Sequence, residues 1–439
     1  MWELVISGIV LGLLLTALWT RVPPTLVSPV YGLVGLYLFT FVGGFFGYDP
    51  QFSPAWFLSP SKAEINTIVT EVLCIISAFL CGALLVIGCS RHRYALGRPF
   101  KRMEGLRLSP LQIRIGFWAA GACIALTVVG YGPATLWYSE QYLKQEDMLA
   151  NIVASMLSLA SALVLGSTAA RGSAGQKRLA FLFEGIILVL MAAISTRRLA
   201  LLPVLFCVGG LVAQPASRRW RAGLLAALIL TPFVMMIPLA MREMDAIGIA
   251  TLARVPALVG QLDVRWQLQT SANNLFMSLP ITIESAKKSA VDPMAYVLTG
   301  INPLPGRWTD WYQNQIRINI YMPFNAVGDL LRAGVWVALL YYAVIGGCFA
   351  RIELRLRAEG RLGPVLLMLL GLCFAFIVFS LQYPLRSASR MIYYMFALEF
   401  VALLLSRVRS AAGSQRTTTS EKTLQPGRNP SHWTPEWRR

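Results

Sequence analysis

Long apolar runs separated by short polar connections give this chain its rhythm. They fall at about 4–20, 26–47, 65–89, 111–131, 150–169, 179–194, 199–213, 223–241, 324–350, 363–381 and 391–405. A helix rises 1.5 Å per residue and a bilayer core is ~30 Å thick, so runs of this length read as spanning helices. The pattern predicts an all-α, polytopic integral membrane protein with about eleven transmembrane helices. The stretch 179–213 needs a decision. As one helix its 35 residues would reach ~52 Å, far beyond the bilayer core. Two shorter legs joined at Ser195-Thr196-Arg197-Arg198 fit better and leave the arginines recessed.

Between the spans only one connection is long. Segment 242–323, 82 residues, is too long for a plain connector. It divides the chain into spans 1–8 (1–241), a large loop (242–323), spans 9–11 (324–406) and a tail (407–439). The tail is rich in Ser, Thr, Pro and Arg with no apolar period, which predicts a disordered basic extension. Within the loop, Leu275 to Ala286 suits a helix lying at the membrane interface. Gly8-x-x-x-Gly12 and Gly43-x-x-x-Gly47 suit close helix packing.

Composition agrees: of 439 residues 56% are hydrophobic and 14% charged, with mean hydropathy +0.59. A net charge of +18 would suggest nucleic acid in a soluble protein; here its placement matters more, and no nucleic-acid partner is expected. Connections 90–110, 170–178, 214–222 and 351–361 are basic, whereas 48–64 and 132–149 are not. The positive-inside rule therefore places the N-terminus and the 242–323 loop outside and the C-terminus inside. Of the 39 Lys and Arg, 24 fall inside, 13 outside and two within spans. Four of the external ones, Arg197, Arg198, Arg386 and Arg390, flank very short turns where charge should have been held inside. All seven cysteines lie in apolar runs, so neither a disulfide framework nor a thiolate metal site is indicated. MWELVISG has no basic n-region or small-residue cleavage site and reads as a first spanning helix.

Candidate chemistry gathers on the outer side. A recessed guanidinium pair at Arg197 and Arg198 suits a phosphate clamp, and equally suits arginines snorkelling to headgroups. In the span after the loop, Asp329 and Arg332 form an i,i+3 pair. Two readings stand: an ion pair that helps helices pack, or the wall of an active site roofed by the preceding loop. The loop carries Arg254, Arg265, Arg307 and Arg317, and aromatics that include Trp266, Tyr296, Trp308, Trp311 and Tyr312. Planar rings beside acids and amides suit stacking on sugars, and suit a membrane interface just as well. His92 and His432 both lie on the expected inner side, leaving no external His base. Glu243-x-Asp245 is weak evidence for a divalent ion, so a metal-independent site without cofactors is expected. No Walker loop, dinucleotide fingerprint or nucleophile elbow is present.

Around the loop and the span after it the sequence resembles a family. Pro303-Leu304-Pro305-Gly306-Arg307-Trp308, then Asn325-x3-Asp329 and Gly334, together with the Ser195-Thr196-Arg197-Arg198 hairpin, resemble bacterial Wzy-type oligosaccharide repeat-unit polymerases. The resemblance implies a GT-C-like fold in the bacterial inner membrane, the large loop being periplasmic. It implies transfer of a growing glycan from its undecaprenyl pyrophosphate to the terminal hydroxyl of a lipid-linked unit, with inversion. A chain-length regulator protein is a further implied partner. On this reading Arg197, Arg198 and Arg307 meet the departing pyrophosphate and Asp329 steers the acceptor. Arg386, Arg390, Arg254, Arg265, Arg317, Asn325, Trp308 and Tyr312 bind substrate. O-antigen ligases share the layout but show His-Asn where this chain has Phe324-Asn325, which argues against a ligase. A lipid-oligosaccharide transporter should show repeated halves, and the sequence has no internal repeat.

Overall fold

The computed structural model describes residues 2–24, 28–49, 58–90, 108–141, 146–244, 246–257, 264–287, 292–304, 324–359 and 363–421. All regular elements among them are helices, apart from one isolated antiparallel bridge between Ser139 and Ile247. Nine are long and apolar enough to cross a membrane. In chain order the main helices are α1 (Trp2–Arg21), α2 (Pro29–Gly47, with a π-helical turn at Leu38–Val42), α3 (Lys62–Cys89), α4 (Pro110–Tyr131) and α5 (Met148–Arg171). There follow α6 (Ala174–Ala193), α7 (Leu201–Ala213), α8 (Arg218–Glu243), α9 (Val264–Phe276) and α10 (Ser278–Lys287). The chain closes with α11 (Pro293–Ile301), α12 (Ala326–Arg332), α13 (Val335–Glu359), α14 (Pro364–Gln382) and α15 (Leu385–Glu421).

Two cores organise these helices. One is built from α1–α3 and α10–α15 around Tyr37, Phe79, Phe349 and Phe376. The other is built from α4–α8 around Ile187, Met191, Leu202 and Phe206. Each is centred on a crossing too close for a side chain. Along α3 and α13, a Cβ on Gly82 would overlap the Ala343 carbonyl, and one on Gly346 the Phe79 carbonyl. Along α5 and α7, Gly166 lies on the Phe206 carbonyl and Gly209 on the Leu163 carbonyl. Lipid offers no hydrophobic gain to association between spans, so close backbone packing at small residues carries much of it.

Three expectations need correction. The run 324–350 is not one helix. It breaks at Gly334, whose φ of +120° suits glycine, so Asp329 and Arg332 sit on the short α12 and the spanning helix starts at Val335. The expected interfacial helix at Leu275–Ala286 divides between α9 and α10, and α10 is buried along most of its length against α12 and α3. Thr282 and Ser285 return their hydroxyls to the Ser278 and Ile281 carbonyls (2.7 Å each), which lets polar residues enter a core. Lys287 at its end meets Glu64 at 2.5 Å, and that bond raises the Lys287 pKa. Finally, Gly8 and Gly12 meet nothing within 4 Å, while Gly43 and Gly47 make room for the Phe276 ring and not for another helix backbone.

Candidate functional site

The turn after α6 is built from a helix ending that normally calls for glycine. Ser195 has φ of +54°, the one non-glycine residue with positive φ among those described. Its N–H donates to the Ala192 carbonyl (2.9 Å) and the Thr196 N–H to the Met191 carbonyl (3.2 Å), the paired bonds of a Schellman motif. The Ser195 hydroxyl, fully buried, donates to the Pro238 carbonyl of α8 at 2.9 Å. A left-handed conformation costs a non-glycine residue ~1–2 kcal/mol, offset here by a bond that glycine could not make. The turn is thereby held against α8, and a 3-10 turn, Arg197–Ala200, leads into α7.

From that turn the half-buried Arg198 reaches α5 and donates to the Ser155 hydroxyl. Ser155 donates to the Asn151 carbonyl (2.6 Å), and the Asn151 amide donates to the Tyr131 hydroxyl (3.1 Å). Tyr131 and Tyr383 both lie within electrostatic reach of Arg198. Tyr383 stands on helices of the other core: it caps α14 and precedes the first turn of α15, which carries Arg386 and Arg390. The fold thus brings the 195–198 turn towards the 383–390 turn, although 185 residues separate Arg198 from Tyr383 in the chain. The Tyr383 ring is exposed.

On the α15 side the first turn is held from below. Asp329, with no exposed surface, accepts the Leu385 N–H at 2.9 Å through one carboxylate oxygen and faces Arg332 at 3.4 Å through the other. A carboxylate at a helix N-terminus also meets the positive end of its dipole. The Arg332 side chain is buried as well, its guanidinium 4.1 Å from the centre of the Tyr296 ring and 5.2 Å from that of Phe324. Asn325 caps α12 by accepting the Gly328 N–H (2.9 Å). Its amide donates to the Ser278 carbonyl, the Thr282 hydroxyl and the Leu381 carbonyl. These contacts make α12 a wedge that fixes the end of α14 and the start of α15. Both Asp329 and Asn325 are fully buried.

Arg386 is buried and donates to the Leu304 and Thr299 carbonyls, while Tyr393 donates to the Ile301 carbonyl. It caps the C-terminal end of α11, where carbonyls without helical partners favour a cation. Arg390, one turn on, is half-buried. Arg254 follows a short turn at Ile249–Leu252 and Arg265 opens α9; both are exposed. The backbone of Arg197 is placed in the 3-10 turn. Arg307, Trp308, Tyr312, Arg317 and Asp245 lie outside the described residues, as do the side chains of Arg197 and Glu243. Ser155, Asn151, Tyr131 and Tyr383 were not singled out by sequence. Their only signal was position at the ends of apolar runs, where Tyr reads as an interface residue.

The arrangement offers a half-buried guanidinium with a fixed serine partner and an exposed tyrosine within electrostatic reach of it. Such a set can hold a phosphate at membrane depth and stack a sugar face. No known protein family, curated protein or solved structure matches the chain. The class that the fold defines is an all-helical, membrane-embedded protein with nine helices fit to span a bilayer among the described residues.

Proposed function

We propose that this protein is a bacterial inner-membrane glycosyltransferase that polymerises undecaprenyl-pyrophosphate-linked oligosaccharide units on the periplasmic face. The observation that supports this reading is the half-buried Arg198, held by the Ser155 hydroxyl of α5 and within electrostatic reach of Tyr383 at the start of the α15 turn. The acceptor sugar hydroxyl attacks the anomeric carbon of the growing chain from the side opposite the lipid pyrophosphate. The anomeric C–O bond breaks, its electron pair leaves with the pyrophosphate, configuration inverts, and the hydroxyl proton passes to solvent. Charge develops on the pyrophosphate, so a preorganised guanidinium is worth most there. On this reading Arg198 supplies it, and Arg197, Arg390, Arg307 and Arg317 add further cations. On the same reading Trp308, Tyr312 and Tyr383 stack on sugars, and the exposed Arg254 and Arg265 add contacts to substrate.

In this reading Asp329 and Asn325 position the α15 turn and do not touch the acceptor. Purified protein given defined lipid-linked units should yield a ladder of polymer that survives a chelator of divalent cations. A ladder that vanishes and returns with Mg²⁺ or Mn²⁺ would move the chemistry to Glu243 and Asp245. Single extended units without a ladder would contradict a polymerase outright.

A further inference from the structure

The end of the second core opposite the Arg198 turn holds a pocket of about 480 Å³. Ser155 and Arg171 lie sixteen residues apart on α5, so ~24 Å of helical rise separates the two places. The pocket is bordered by the end of α5, the starts of α4 and α6, and the α7–α8 connection. Its lining is apolar at Leu108, Ile113 and Ala170 and carries Arg171 and Lys177, both exposed. The remaining polar groups already have partners: Ser167 donates to the Leu163 and Gly209 carbonyls, Thr168 to Val164, and Gln214 to Ala170. The two cations are therefore the charged donors the pocket can give to a ligand.

Charge in the described chain segments that supply the lining has one sign. Segments 108–123, 163–178 and 205–221 contain Arg114, Arg171, Lys177, Arg178, Arg218, Arg219 and Arg221, with no Asp or Glu. The N-terminus of the 20-residue α6 adds its dipole to the same field. An anion gains from this field, and an apolar wall beside two cations suits an anion that carries a hydrocarbon chain.

We propose that this pocket binds the phosphate ester of an anionic phospholipid, with its phosphate on Arg171 and Lys177 and its chain along Leu108 and Ile113. A soluble phosphate ester shares the first contact and gains nothing from the second. The site is independent of the proposed transferase chemistry. Lipid bound here clamps the α4, α5, α6 and α7 ends into one unit.

The test is native mass spectrometry of the full-length protein in detergent, titrated with phosphatidylglycerol or with phosphatidylcholine of the same acyl chains. The wild type should retain one phosphatidylglycerol with clear preference over phosphatidylcholine. Arg171→Gln/Lys177→Gln should weaken it ~10-fold or more, a charge-assisted contact discounted for exposure. Arg218→Gln/Arg219→Gln removes the same charge outside the pocket lining and should change retention less than about threefold, since screening limits distant exposed charges. Equal losses in the two double variants, or no headgroup preference in the wild type, would overturn the site. Displacement by millimolar sn-glycerol 3-phosphate would overturn the lipid assignment in favour of a soluble phosphate ester. Unchanged melting of all variants shows that retention reports binding and not folding.

Discussion

Alanine at Gly209 should damage this protein far more than alanine at most of its other helical glycines. A Cβ there overlaps the Leu163 backbone carbonyl of α5, and the facing Gly166 stands in the same relation to the Phe206 carbonyl of α7. Neither obstacle is a side-chain tip that can swing aside, so the helices must separate. Overpacking of this kind costs typically ~1–3 kcal/mol. Separation also weakens the bond from the Ser167 hydroxyl to the Gly209 carbonyl, 2.9 Å long, worth ~0.6–1 kcal/mol between membrane helices. The upper part of the range, about 3 kcal/mol, follows, equivalent to roughly 3 °C in apparent Tm for a chain of this size. Gly185 and Gly371 meet nothing within 4 Å, and alanine there should be neutral or stabilising by up to ~1 kcal/mol. The assay is thermal melting of detergent-solubilised protein followed by size-exclusion. Gly166→Ala should match Gly209→Ala, and the double variant should fall short of their sum because both act on one crossing. Because α5 carries Ser155 and α7 follows Arg198, the two variants should also lower polymer synthesis at matched abundance. If Gly209→Ala melts with Gly371→Ala, the close crossing is wrong.

Two further outcomes follow. Asp329→Asn keeps an acceptor for the Leu385 N–H but leaves Arg332 buried without its counter-charge, so abundance and melting temperature should fall by the equivalent of several kcal/mol. Exchanging the two residues should not restore them, because the Leu385 N–H then loses its acceptor; full recovery in the exchange variant would sink this account. Reporter fusions after Lys287 and after Ser414 should place the first outside and the second inside; phosphatase activity at 414 with none at 287 would reverse the topology.

Much of the architecture was legible because lipid imposes a length and a polarity on every span. Nine of the apolar runs return as helices of spanning length, and the hairpin at Ser195–Arg198 was readable from arithmetic on helix length. The break at Gly334 was not, since hydropathy runs through it unchanged and only the backbone dihedral reveals it. The burial of α10 was hidden for a related reason: Ser278, Thr282 and Ser285 look like a wet face until their hydroxyls are seen bonded within the helix. At the site, charge asymmetry singled out Arg198, Arg386 and Arg390. It could not distinguish Arg198, which approaches another core, from Arg386, which caps α11, because that difference lies in contacts spanning 82 to 185 residues of chain.

The account rests on Arg198 as a group that meets developing charge. The direct measurement is the initial polymerisation rate of purified Arg198→Lys, Arg198→Ala and Ser155→Ala against wild type, with melting temperature recorded for each. A charge-assisted bond contributes ~1.5–3 kcal/mol, so Arg198→Ala should lose roughly 10- to 150-fold in rate. Arg198→Lys should recover only part of it for want of a planar fork. Ser155→Ala, which frees the guanidinium without removing it, should lose less than Arg198→Ala. Wild-type rates in all three variants would make Arg198 a packing residue and contradict the proposed site.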